Sequence, residues 1–173
     1  MNGMIRPHAV VLVDTNVIIE AHRTGAWAAL AGTCGVETVE DCVIETQTGY
    51  HGRTHEQLID ARDLRASLTA VHDVTDSERA ELAVRMGDIA LDRGAESLWA
   101  HSLGRVGTWL LSGPDRASLR VAVRLGLRER LVSLEELLEK AGHRPRRRLG
   151  PAYTRKWMTR VVSLMVVAEF GGR

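Results

Sequence analysis

The sequence is poor in cysteine and has no long apolar run. Only Cys34 and Cys42 occur among 173 residues, and they form no C-x-x-C pair. This pattern excludes a disulfide framework and the common structural zinc sites, and we expect free thiols. The longest nearly apolar stretch, Val161–Ala168, is too short to span a bilayer. No signal-peptide pattern is visible either, so we expect a cytoplasmic protein.

Aromatic residues are also scarce, at 7 of 173, and lysine is nearly absent beside arginine. Charge is unevenly divided along the chain. Residues 1–141 carry 15 basic and 21 acidic side chains, whereas residues 142–173 carry 8 basic and 1 acidic. Such a tail either contacts an anionic partner or packs against its own acidic body. We therefore divide the chain into a domain over 1–142 and a basic linker with a C-terminal helix over 143–173.

Short apolar runs rich in β-branched residues alternate with helical patterns. Strands are predicted at 8–13, 36–39, 68–74, 106–111 and 131–133, and the apolar runs at 8–13 and 106–111 are typical of strands buried in a sheet. A helix is predicted to begin after Thr75, which has capping-box spacing to Glu78, and to continue until Gly94 breaks it. The alternation predicts an α/β fold, a three-layer sandwich with a mainly parallel, roughly five-stranded sheet flanked by helices.

Acidic residues lie where ligands bind in such a sheet. Asp14 directly follows the first strand, and Asp115 follows the fourth after a short Gly-Pro turn. Glu45 lies inside an apolar helix, and Glu96 opens the helix before the fourth strand. Converging carboxylates repel one another unless a cation binds, and oxygen ligands alone favour Mg²⁺ or Mn²⁺. The pattern predicts a metal-dependent hydrolase that cleaves a phosphate backbone.

Each acid also has a purely structural interpretation. Asp14 and Asp115 are favoured helix N-cap residues, and Glu45 could lie on an exposed face. Glu96 suits the first turn of any helix because of the helix dipole. Asp92 lies one turn before Glu96 and is an alternative third acid.

The order of these motifs resembles the PIN domain family. The resemblance is carried by VVLVDTNVII (10–19), Glu45, the acid at position 96 and WLLSGPD (109–115), and it extends from residue 9 to about 142. It implies a metal-dependent ribonuclease with Asp14, Glu45, Glu96 and Asp115 as catalytic and metal-binding residues. The sequence departs from the family pattern in having Glu96 where Asp is usual, and Ser112 in place of the usual Thr near the last acid.

The resemblance leaves two functional hypotheses. One is an endoribonuclease, in one version the toxin of a toxin–antitoxin pair that binds an antitoxin protein. The other is a non-catalytic PIN-like module that binds RNA or a protein partner. Saturable binding of Mn²⁺ would distinguish them, because only converging acids form a metal site.

Basic and apolar patterns suggest the partners. Arginines recur every fourth residue after Asp115, and a second group lies in the linker; the candidate RNA-binding residues are Arg116, Arg120, Arg146, Arg147 and Arg148. A solvated helix face is the alternative for the first group. The C-terminal helix carries an apolar side that we expect to pack on the domain or in a homodimer, formed by Trp157, Val161, Leu164 and Met165.

Overall fold

Four parallel strands form the central layer of the structure, a computed structural model that describes residues 9–48 and 58–171. The strands are β1 (Val10–Val13), β2 (Gly35–Val39), β3 (Ala70–His72) and β4 (Trp109–Ser112), in the spatial order β3-β2-β1-β4. In register, Leu12 of β1 is paired with Glu37 on one side and Leu111 on the other. The predicted α/β class with a parallel sheet is confirmed, although His8 of the first predicted strand lies outside the described residues.

The prediction of a fifth strand at 131–133 is wrong. At 131–133 the described chain makes a single parallel bridge, Leu131 with Leu111, and the Val132 amide donates to the Leu111 carbonyl at 3.0 Å. A 3₁₀ turn ends at Arg130, and Ser133 is already the N-cap of the next helix. The chain therefore has no room to extend the ladder beyond this bridge.

The described residues form nine α-helices around the sheet. They are α1 (Thr15–Arg23), α2 (Trp27–Thr33), α3 (Glu40–Thr46), α4 (Ala61–Ser67), α5 (Asp76–Met86), α6 (Arg93–Leu103), α7 (Arg116–Arg124), α8 (Leu134–Lys140) and α9 (Arg155–Phe170). Across the same residues, no helix combines the length and the apolar composition that crossing a membrane requires.

The alternation of side chains along the strands produces two cores. Val11 and Val13 pack on one face of the sheet with residues of α1, α2 and α8. Leu12 and Leu111 pack on the other face with residues of α5, α6 and α7. Burial on both faces explains why β1 is continuously apolar, as the sequence indicated.

Two boundaries differ from the sequence prediction. The helix that starts at the Thr75 capping box ends at Gly87, which adopts a φ of +67°, rather than at Gly94. Gly94 instead lies in the first turn of α6. Strand β4 starts at Trp109, and Val106 is almost fully exposed because it precedes the sheet.

The basic linker packs against the body of the protein. The Arg146 amide donates to the Thr24 carbonyl, and the Gly150 amide donates to the buried Glu20 carboxylate at 2.7 Å. Helix α9 then buries Met158, Val161 and Met165 against α7. The predicted apolar side of this helix is thus partly covered by its own chain, and Leu164 remains exposed.

Candidate metal centre

Asp14 lies where strand β1 meets helix α1. Its amide donates to the Ser112 carbonyl at 3.0 Å, which continues the β1–β4 ladder by one step. Only 3% of the residue is exposed. The side chain occupies the N-cap position of α1 and yet makes no capping hydrogen bond. The capping interpretation therefore does not account for this carboxylate.

The Asp14 carboxylate is poorly satisfied for a buried charge. Asn16 Nδ2 donates to Oδ2 at 3.3 Å, whereas Oδ1 has no hydrogen-bond partner among the described residues. Burial, together with the negative charges of Asp92 and Glu45, raises the pKa of Asp14 to about 7. The amides of Thr15 and Asn16 offset part of this rise in pKa. A buried carboxyl of this kind favours either a proton or a cation.

Glu45 is held beside Asp14 by two hydrogen bonds. Thr15 Oγ1 donates to Glu45 Oε2 at 2.7 Å, and the Gly94 amide donates to Glu45 Oε1 at 2.8 Å. These contacts connect α3 to the first turns of α1 and α6. The predicted pairing of Asp14 with Glu45 is thus a feature of the structure, and their charges interact.

The acid at the start of α6 that interacts with Asp14 is Asp92, and the role of Glu96 as a metal ligand stays a prediction. Asp92 is the N-cap of α6, where it accepts from the Ala95 amide at 2.9 Å, and its charge acts directly on Asp14. Glu96 Oε2 lies 4.0 Å from Arg79 Nη1 instead. Residues four apart lie on the same face of a helix, so spacing in the sequence could not decide between Asp92 and Glu96.

Asp115 lies close to the cluster through its loop. The backbone of Gly113 runs against Asp14, because a Cβ added there would lie 3.4 Å from the Asp14 Cβ. The Asp115 carboxylate caps α7 by accepting from the Ser118 amide at 2.9 Å. Its capping role is therefore observed, and its role as a metal ligand stays a prediction.

Sequence reasoning did not single out Thr15 or Gly94 as parts of this site. A Cβ at position 94 would collide with the Glu45 carboxylate, so the absence of a side chain there lets the carboxylate reach the α6 amide. The signal available in the sequence was a glycine two residues after the N-cap of a helix, where the backbone amides are unpaired. We name Asp14, Glu45 and Asp92 the acidic cluster.

The candidate RNA-binding arginines have different surroundings. Arg116 and Arg120 are exposed on α7. Arg124 of the same stripe is held by Glu169 and Asp88, so the stripe is interrupted. In the linker, the side chain of Arg146 packs over Gly25, and the Arg148 carbonyl accepts from Arg23. The linker arginines thus lie on a folded segment whose backbone is fixed to α1.

The tail also reaches the neighbourhood of Asp14. Tyr153 is half-buried beside Gly150 and contributes to the core on the α1 side of the sheet. Burial, together with the charges of Glu20 and Asp14, raises the pKa of Tyr153 to about 12. The linker thus brings an aromatic residue into the electrostatic field of the acidic cluster.

Comparisons with protein-family models, with curated proteins and with solved structures found no match. The geometry of the acidic cluster is therefore the basis for a functional proposal.

Proposed function

We propose that this protein is a metal-dependent ribonuclease whose divalent cation binds at Asp14. The observation that carries the proposal is the buried Asp14 carboxylate, of which one oxygen has no partner among the described residues. Two further carboxylates, from Glu45 and Asp92, act on it electrostatically. A buried carboxylate such as that of Asp14, on which two further carboxylates act, is costly to keep ionised unless a cation binds to it.

The donor set fits a hard cation. Asp14, Glu45 and Asp92 offer only oxygen atoms, which are the preferred ligands of Mg²⁺ and Mn²⁺. When bound, such an ion would supply a polarised water and charge stabilisation for phosphodiester hydrolysis. Thr15 and the Gly94 amide would orient Glu45, and Asn16 would orient Asp14.

The surface beside the cluster suits a polyanion. Helix α7 begins directly after Asp115 and exposes Arg116 and Arg120 near its start. Arginine side chains at such positions bind phosphates and lead a nucleic-acid backbone along the helix. Single-stranded RNA is the substrate that we propose, in keeping with the sequence resemblance to PIN domains.

Cleavage assays with the full chain test this function. Wild type should cut single-stranded RNA in the presence of Mn²⁺ and stop when EDTA is added. Asp14→Asn should lose at least about 100-fold in rate, since several kcal/mol of charge stabilisation disappear. Asp63→Asn is the matched control, because Asp63 is an exposed aspartate in the first turn of α4. Single-stranded DNA of the same sequence serves as the competing substrate.

Two results would contradict the proposal. Asp14→Asn that cuts RNA at the wild-type rate would show that the acidic cluster is not the active site. Preferential cleavage of single-stranded DNA would show that RNA is not the substrate. If wild type binds Mn²⁺ but cuts neither substrate, the non-catalytic alternative is supported instead.

A further inference from the structure

A second cluster of metal-ligating side chains lies at the other end of α6. Glu37 of β2 projects beneath α6 and is 7% exposed. His72 at the end of β3 and His101 in the last turns of α6 stack on each other, with ring centroids 4.0 Å apart and planes inclined by 18°. One ligand atom from each of the three residues lies within 4.8 Å of the other two.

A cationic nitrogen lies against two of these three ligand atoms. Arg105 Nη1 lies 2.7 Å from Glu37 Oε2 and 3.0 Å from His101 Nε2. The same Glu37 oxygen lies 2.7 Å from His72 Nε2. The arrangement is therefore already a cation site, and Arg105 fills it.

The donor set differs from that of the acidic cluster. Two imidazole nitrogens and one carboxylate oxygen form a common ligand set for Zn²⁺ and leave a fourth position open. Imidazole binds metals in its neutral form. The contact with Arg105 requires that His101 Nε2 accept rather than donate, which is the role that it would have towards a metal ion.

We propose that Glu37, His72 and His101 form a site for a transition-metal ion of the Zn²⁺ type, which binds in competition with the Arg105 guanidinium. In tetrahedral coordination the ligand atoms lie about 3.3 Å apart, so metal binding requires the Glu37 and His72 atoms to move apart from their 2.7 Å contact as the arginine leaves. Arg105 lies beyond the C-terminal end of α6, and His72 lies on an edge strand that is partly open to solvent. Both side chains are partly accessible to solvent.

This site is separate from the acidic cluster. Gly94, which contacts Glu45, and His101 are seven residues apart on α6, which corresponds to about 10 Å along the helix. Zinc binding here depends on no acid of the proposed ribonuclease centre. Asp14→Asn should accordingly leave zinc binding unchanged, so the two proposals can fail independently.

Calorimetric titration of the metal-free full chain with ZnCl₂ tests the site. Wild type should show saturable binding that His72→Gln and His101→Gln each abolish. Arg105→Gln should bind Zn²⁺ about tenfold more tightly, because it removes a like charge at contact distance. Arg105→Lys keeps the charge and should not reach the affinity of Arg105→Gln. His143→Gln, in the linker, is the control for a histidine elsewhere and should bind as wild type does.

A thermal melt gives a second readout should Arg105→Gln fold poorly. Zn²⁺ should raise the melting temperature of wild type and not that of His101→Gln. Zinc binding that survives both His72→Gln and His101→Gln would overturn the proposal. Equal zinc affinities of folded Arg105→Gln and Arg105→Lys would also overturn it, because the guanidinium would then not compete.

Discussion

A buried carboxylate lies near each end of α6, and the two carboxylates have neighbours of opposite charge. At the C-terminal end, Glu37 lies against Arg105 and His72, each at 2.7 Å. At the N-terminal end, Asp14 has no cationic partner among the described residues, and the acids Asp92 and Glu45 lie nearby. Glu37 lies on β2 and Asp14 directly follows the neighbouring strand β1, and both residues are almost fully buried.

The two carboxylates thus differ in their partners: Glu37 has a cationic and a hydrogen-bonding partner, whereas one oxygen of Asp14 has no partner among the described residues. A buried carboxylate is tolerated when a cation and hydrogen bonds compensate for lost hydration. Glu37 has such partners in Arg105 and His72, whereas Asp14 has no cationic partner among the described residues. We therefore propose that the buried Asp14 carboxylate destabilises the metal-free protein and that binding of a divalent cation to the acidic cluster relieves this destabilisation.

Neutralising each carboxylate should change stability in opposite directions. Asp14→Asn should stabilise the metal-free protein by up to about 4 kcal/mol, which is the rise in pKa from 3.8 to about 7 converted at 1.36 kcal/mol per unit. Glu37→Gln should destabilise it by about 3 kcal/mol, because it breaks a buried ion pair. Urea unfolding in EDTA measures both. The same sign for both variants would remove the distinction between the two sites.

The gain from Asp14→Asn should depend on pH. A carboxyl whose pKa is raised by folding binds its proton more tightly in the folded state. Its contribution to stability therefore falls as the pH rises from the unfolded pKa near 4 to the folded pKa of about 7. The difference in melting temperature between Asp14→Asn and wild type should be small at the acid end of this window and largest above pH 7. A difference that stays constant across it would refute the raised pKa.

Substitution of Asp92 and of Glu96 in turn should show which of the two acids belongs to the acidic cluster. Asp92→Asn keeps a helix-capping side chain and removes the charge, and should weaken Mn²⁺ binding about tenfold. Glu96→Gln should have little effect, because Glu96 is directed towards Arg79. Calorimetry with Mn²⁺ on both variants decides between them. A larger loss for Glu96→Gln would place the third acid at position 96, where the family resemblance expects it.

The smallest expected effect concerns the glycine that lets Glu45 approach α6. Replacement of glycine by alanine inside a helix ordinarily stabilises a protein by about 0.5–1 kcal/mol. Gly32→Ala in α2 should follow this rule, because nothing lies within 4 Å of the added Cβ. Gly94→Ala should reverse the sign and weaken Mn²⁺ binding, because the Cβ meets the Glu45 carboxylate. Thermal melts of the two variants compare them directly, and a stabilised Gly94→Ala would contradict the contact.

Patterns local in sequence predicted much of this molecule. The apolar run of β1 predicted a buried central strand, and Asp14 at its end was expected at the ligand-binding edge. The capping box at Thr75–Glu78 marks the start of a helix that the structure contains. The predicted fifth strand was wrong because residues on both sides of it form a 3₁₀ turn and a helix cap.

Contacts between distant residues were not accessible from such patterns. Glu37 in the strand GVETV is typical of a solvent-facing position, and its partners His72 and Arg105 lie 35 and 68 residues away. The choice between Asp92 and Glu96 likewise depends on Arg79, which lies on another helix and attracts Glu96. Burial of a charge is decided by these tertiary neighbours, and no local periodicity encodes them.

The most direct test of the account is calorimetric titration of Mn²⁺ into wild type and Asp14→Asn above pH 7, where the Asp14 carboxyl is ionised. The account predicts saturable binding to wild type and at least a tenfold loss of affinity in Asp14→Asn, with Asp63→Asn unchanged. Equal Mn²⁺ affinities of wild type and Asp14→Asn would contradict it, because the unsatisfied buried carboxylate would then not be a cation ligand.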